Sequence, residues 1–388
     1  MKACGIIVEY NPFHNGHNYH AKKARELSKA DVVVAVMSGN FLQRGEPAII
    51  DKWMRANEAL QNGVDLVVEL PIQWSLQSAD YFARGGILLL QALKCESYCF
   101  GTDVASEFDY QAFGKFVKEN QKTINQTFQQ LSNPTMSYAQ TMTEVYRELY
   151  PQLLLTGEQP NHVLGLTYAQ ENAQYTNPMT SIPLPRIGAS YHSKEIHNEI
   201  ASATAIRKAI IEGLSVEQVV PQQTTSDLQA YQITWNNYWE FLKYRIIISS
   251  VDELREIYHM VEGLEYRLKS LIYEANSFEE FVQAVKTKRY TQTRIQRLLC
   301  YVLLNIKTSD IKEAWESNYL HVLGFTENGQ RYQKEKKAVI DYPVLSKIGK
   351  KEEQAYKLTV RSDKVYQMGN PLILEQNFGK FPIRSNPL

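Results

Sequence analysis

"GIIVEYNPFHNGHNYHAKKAREL", residues 5–27, runs from an apolar β-branched segment through a short polar turn into a helical pattern. The turn holds His14, Gly16, His17 and His20, three of the eight histidines in the chain. A strand that feeds a helix in this way is half of a βαβ unit, and the helix N-terminus offers unpaired N–H groups that suit a phosphate. Gly16 permits close backbone approach, and His14 and His17 can donate hydrogen bonds to phosphate oxygens as charge builds on a leaving group. The competing reading is that such histidines only cap a helix.

The surrounding sequence repeats this rhythm. β-Branched runs at residues 3–8, 31–37 (DVVVAVM), 65–70 (DLVVEL) and 97–101 alternate with helical patterns near 17–28, 51–62 and 78–93. Near-continuous apolar runs predict strands buried on both faces of a parallel sheet, so the expected fold class is α/β, a Rossmann-like doubly wound sheet. More helix is expected over 105–150, a strand over 182–187, and a capped helix opening at Ser202. Residues 219–228 (VVPQQTTSDL) interrupt the pattern with proline and polar residues and are read as a linker. This predicts a nucleotide-binding catalytic domain over 1–218 and a mainly helical domain over 229–388, with helices near 236–249, 251–273, 277–286 and 291–306.

Composition narrows the classes. A chain of 388 residues exceeds the usual single domain, and 44% hydrophobic with 22% charged residues is ordinary for a globular protein. Lys+Arg and Asp+Glu both count 42, so any nucleic-acid affinity must come from a local patch. Four scattered cysteines suggest no disulfide framework, and Cys95 and Cys99 lack the second pair that a zinc site requires. With no export signal or membrane span in the sequence, a cytoplasmic location is expected.

One local patch exists. "KTKRYTQTRIQRLLCYVLL", residues 286–304, carries Lys286, Lys288, Arg289, Arg294 and Arg297 without an acidic residue. Ile295, Leu298, Leu299, Val302 and Leu303 follow helical spacing and form a core face, which leaves Arg294, Arg297 and Tyr301 on the opposite side. Guanidinium groups beside an exposed ring suit RNA phosphates and bases; a solvated basic face is the plainer alternative.

The turn "HNGH" resembles the H-x-G-H signature of the nucleotidyltransferase superfamily, and "IASATAIR", residues 200–207, is similar to its second signature, a Ser/Thr-rich helix start with an arginine. With "SGNFLQRGEPAIIDKWMRA", "DLVVELP", "PRIGASYH" and "KTKRYTQTRIQRLL", nearly the whole chain resembles the bacterial tRNA(Met) cytidine acetate ligase family. The resemblance implies ATP-dependent activation of acetate, release of pyrophosphate and acetyl transfer to N4 of the wobble cytidine in elongator tRNA(Met). It implies catalytic roles for His14 and His17. It implies ATP contacts from Ile7, Val8, Glu9, Tyr10, Asn11, Pro12, Phe13, His14, Asn15, Gly16, His17, Asn18, Tyr19 and His20, with Gly101, Asn161 and Arg186. Ser202, Thr204 and Arg207 follow from the superfamily signature. Lys286, Lys288, Arg289, Arg294, Arg297 and Tyr301 would meet the tRNA, and Mg²⁺ is expected on the phosphates, with ligands unknown. No membrane and no obligate protein partner are expected. The alternatives are an adenylyltransferase for a small phosphorylated metabolite and a noncatalytic RNA-binding protein on the same fold; intact signatures and the basic helix weigh against them.

Overall fold

A computed structural model describes residues 1–104, 108–133, 136, 138–153, 159–186, 200–261, 263–287 and 289–385. The expected β-branched runs form β1 (Ala3–Val8), β2 (Val32–Ser38), β5 (Leu66–Leu70) and β6 (Ser97–Thr102), and β7 is Thr180–Pro185. Between β2 and β5 lie two two-residue strands, β3 (Phe41–Leu42) and β4 (Glu46–Pro47), which pair antiparallel as a separate hairpin. The strands of the parallel core lie in the order β5-β2-β1-β6-β7. The chain therefore reverses its progress across the sheet at β1, with β2 on one side and β6 on the other. Open α/β sheets bind ligands at the carboxyl ends of the strands beside such a switch point. The histidine turn sits at the carboxyl end of β1.

β1, β2 and β5 are buried almost throughout, as a sheet covered by helices on both faces requires. The helices Asn15–Ser28 and Lys52–Gln61 bury Ala21, Ala24, Ala56 and Ala59 against the side formed by Cys4, Ile6, Val33, Ala35 and Val67. The helix Ala79–Ala92 buries Phe82, Ile87 and Leu90 against the other side, with Val34, Val36 and Val68.

The second half departs from the expected division. β8 (Leu320–Phe325) joins the sheet antiparallel to β5, while β10 (Ile383–Arg384) and β9 (Val344–Leu345) pair with β8. The C-terminal stretch thus returns to the sheet instead of staying in a helical unit. Nor do residues 219–228 form an open linker: Val219 and Val220 are buried, and Gln222–Ala230 is a helix with Pro221 at its N-cap. Proline there sits ahead of the helix and removes no bond from it. The helix expected over 251–273 is two, Val251–Arg255 and Leu264–Leu271, the second beginning after Gly263 at φ 88°. Helices Trp239–Ile248, Phe278–Val285 and Gln292–Leu303 match expectation, as does the N-capped helix Ala203–Ile211. The region 105–150 contributes Tyr110–Glu119, Gln121–Leu131 and Tyr138–Leu149.

Candidate active site

The end of β1 is shaped by the histidines themselves. His14 is the N-cap of the helix Asn15–Ser28: its Nδ1 accepts from the Gly16 N–H at 3.1 Å, while His17 Nδ1 accepts from the His14 N–H at 3.3 Å. This is a capping box in which two imidazoles do the work usually done by Ser/Thr and Glu/Gln. The rings stack with centroids 3.7 Å apart. Gly16 is required because a Cβ there would lie 2.8 Å from His14 Cε1. Tyr10 and Phe13 wedge their rings under His17, with centroids at 4.8 and 5.6 Å.

The protonation state follows. Both Nδ1 atoms accept backbone N–H bonds, so each neutral ring carries its proton on Nε2. Burial, with help from Arg186 and Arg207, holds His14 down at about 3, and burial beside His14 and His20 holds His17 well below the ordinary histidine range. His20 is also lowered, to about 4, by burial. Near neutral pH the turn thus presents uncharged Nε2–H donors.

All the residues expected around a nucleotide line a single cleft except Pro12, Phe13, Asn15 and Asn18. Phe13 is core, Asn15 bonds Gln218 and Val219 carbonyls, and Asn18 Nδ2 donates to Asn62 Oδ1. Gly101, on β6 next to β1, and Asn161 line the same cleft. Asn161 N and Nδ2 both donate to the Asp103 carboxylate at 2.8 Å, and Arg186 Nε stands 3.9 Å from the same group. Ser202 caps its helix by accepting from Ala205 N at 3.1 Å, and Thr204 lines the opening. Arg207 Nη1 donates to Asn11 O at 2.8 Å. "PRIGASYH" beyond Arg186 lies outside the described residues, as does Lys288.

Arg44 and Glu46 also line the cleft, and Asp103 anchors two of its residues; none was found from sequence. Arg44 and Glu46 sit in the stretch "QRGEP", which belongs to a segment that carries the family resemblance but has no periodicity to assign either residue a role. Asp103 follows closely on Gly101 at the carboxyl end of β6, and that position alone could have singled it out. Among the described residues no group of three or more His, Cys, Asp or Glu could hold a metal.

The basic helix needs correction. Ile295, Leu298, Leu299, Val302 and Leu303 are buried as expected, but so is Tyr301, whose hydroxyl donates to Leu76 O. Arg297 is turned inward as well, Nη1 donating to Gln43 O at 3.1 Å. A one-face reading presumes one packing partner, whereas this helix is packed on two sides. The outward group is instead exposed Lys286 and Arg289 with half-buried Arg294 and Tyr290, the Arg294 and Arg289 guanidinium carbons lying 4.8 and 5.5 Å from the Tyr290 ring centroid. Tyr301→Phe should accordingly lower stability by about 1 kcal/mol, the worth of one buried hydrogen bond, and leave RNA affinity unchanged. Chemical denaturation and a tRNA titration check the two halves.

A Rossmann-ordered sheet with a histidine turn at its switch point defines a nucleotidyltransferase, and the family model described as HIGH nucleotidyl transferase matches residues 1–380. More narrowly, the chain belongs to the tRNA(Met) cytidine acetate ligase family. It is 41% identical over 393 residues to the tRNA(Met) cytidine acetate ligase of Latilactobacillus sakei, covering 99% of this chain and 97% of that one. It is likewise 41% identical over 382 residues to that of Streptococcus agalactiae, covering 98% and 97%. The crystal structure of apo Thermotoga maritima TmcAL superposes with a TM-score of 0.90 at 28% identity, and the form bound with alpha-thio ATP with 0.88, each over 100% of both chains.

Proposed function

We propose that this chain activates acetate with ATP and transfers the acetyl group to N4 of the wobble cytidine of elongator tRNA(Met), in the cytoplasm. The observation that carries the reading is the pair of uncharged Nε2–H donors at the carboxyl end of β1, facing a cleft that also holds Arg186 and Arg207. The names of the relatives supply the acceptor and the acyl group; the Thermotoga neighbour supplies a nucleotide.

An acetate oxygen attacks the α-phosphorus, the bond to the bridging oxygen of the β-phosphate breaks, and pyrophosphate leaves. His14 and His17 donate to the oxygens on which charge accumulates, and Arg186 and Arg207 add fixed positive charge; preorganised donors lower such barriers most. Neutral imidazoles donate without surrendering their proton, so no proton need be replaced between turnovers. The cytidine amine, a weak nucleophile because its lone pair is delocalised, then attacks the acetyl carbon, AMP leaves with the electron pair, and the amine nitrogen releases one proton to water. Positioning carries much of that step. Mg²⁺ would ride on the phosphates; the two glutamates lining the cleft, Glu9 and Glu46, already accept bonds from Gln43 N and Asn11 Nδ2.

The test is acetate-dependent pyrophosphate release with and without tRNA, followed by nucleoside analysis of the RNA. N4-acetylcytidine and acetate-dependent release support the reading; release without modified RNA would point to another acceptor. With charge reversal at Arg289 and Arg294, tRNA binding should weaken by about tenfold or more and the salt dependence should flatten, while RNA-free adenylation persists. Parent-like binding across several salt concentrations would remove this patch from the interface.

A further inference from the structure

The β3–β4 hairpin lies between the cleft and the basic helix, and it is fastened on both sides. Toward the cleft, Gln43 N donates to Glu9 Oε1 at 2.8 Å, and Glu46 Oε1 accepts from Asn11 Nδ2 at 3.1 Å. The same Glu46 oxygen stands 3.3 Å from Arg207 Nη2, both side chains being mostly buried. Away from the cleft, Arg297 Nη1 donates to Gln43 O and Trp235 Nε1 donates to Gly45 O at 2.9 Å. Gly45 has φ 76°, and a Cβ on it would lie 2.2 Å from Arg297 N, so the hairpin backbone rests directly on the helix Gln292–Leu303. Only glycine fits that contact.

We propose that Glu46 is a positioning residue for the nucleotide reaction: it holds Arg207 at the cleft, and the helix Gln292–Leu303 fixes Glu46 in turn through the hairpin. An arginine side chain free to sample several rotamers must be ordered by the ligand, which weakens binding; one already clamped by a carboxylate and the Asn11 carbonyl is ordered beforehand. Arg297, turned in beneath the outward residues of its own helix, is thereby tied to the adenylation cleft. The proposal rests on the reading that the cleft takes ATP.

Binding of a non-hydrolysable ATP analogue, measured by titration on the full chain without RNA, tests it. Glu46→Gln should bind about tenfold more weakly than the parent, on the scale of a hydrogen bond to a charged group. Arg207→Met should lose more, and the double variant should bind no more weakly than Arg207→Met alone, because Glu46 acts through Arg207. Arg297→Met, which keeps an apolar stem in place, should bind several-fold more weakly with a thermal midpoint close to the parent's. Losses that multiply in the double variant, or parent-like binding by Glu46→Gln, overturn the role of Glu46. Parent-like binding by folded Arg297→Met overturns the link to the helix, and stands even where Glu46→Gln fails to fold. A parent chain that binds no ATP analogue removes the nucleotide reading itself, and this proposal with it.

Discussion

Alanine at His14 or His17 lowers acetate-dependent pyrophosphate release by about 10²–10³-fold at saturating ATP, the usual consequence of removing one preorganised donor from a developing charge. The two side chains are also caps, and the roles separate by choice of substitution. His14→Ala leaves the Gly16 N–H without its acceptor and should lower stability by about 1 kcal/mol in addition. His14→Asn replaces one good N-cap acceptor with another and should restore the stability but not the rate. His17→Gln, the residue a capping box ordinarily carries at that position, should behave the same way toward the His14 N–H. Near-normal release by His14→Asn and His17→Gln would mean that the imidazoles serve only the helix start. Steady-state kinetics beside chemical denaturation gives both quantities on the same preparations.

The capping geometry explains why the candidate site was legible in sequence while parts of its frame were not. His14, Gly16 and His17 act over one helical turn, and so their spacing is visible in the chain. β1, β2, β5 and β6 were equally open, because a strand buried on both faces must be an apolar run wherever its partners lie. β8 pairs with β5 across most of the chain, Val68 opposite Val322, and nothing local to "HVLGF" records the partner or the antiparallel direction. The same holds for Glu46 and Asp103, whose parts depend on Arg207 and Asn161 arriving from far along the sequence. Tyr301 was misread for a related reason: periodicity assigns a helix one buried face, and the wall around Leu76 supplies a second. Pro221 marked a break in pattern and in fact opens a helix.

The return of the C-terminal stretch to the sheet sets up the other large effect. Lys52 is fully buried, and its Nζ lies 2.9 Å from both Glu69 carboxylate oxygens and 2.6 Å from Asp363 Oδ2. His321 Nδ1 is 2.6 Å from Glu69 Oε2, and Asn40 Nδ2 donates to Asp363 Oδ1 at 2.9 Å. One ammonium thus joins the helix Lys52–Gln61 both to β5, which carries Glu69, and to the helix Lys357–Gln367, which carries Asp363. Lys52→Met leaves two carboxylates facing each other out of water and should destabilise the fold by about 3–5 kcal/mol, the range for breaking a buried pair from one side. The pH dependence has a definite sign. Burial already raises Asp363 from 3.8 to about 7, so its protonated form adds stability at low pH that is lost as pH rises through that window. Without Lys52 Asp363 rises further, and Glu69, which the lysine and His321 hold below its ordinary value, rises as well; the folded state of the variant then holds more protons than that of the parent, and the deficit grows from about pH 5 to about pH 8. Asp363→Asn in the Lys52→Met background should recover part of the loss, since the amide removes one of the two buried charges and can still accept from Asn40. Urea midpoints of the single and double variants at the two pH values decide it: a deficit that shrinks toward the higher pH, or a double variant no more stable than Lys52→Met, would show that the lysine acts through packing alone.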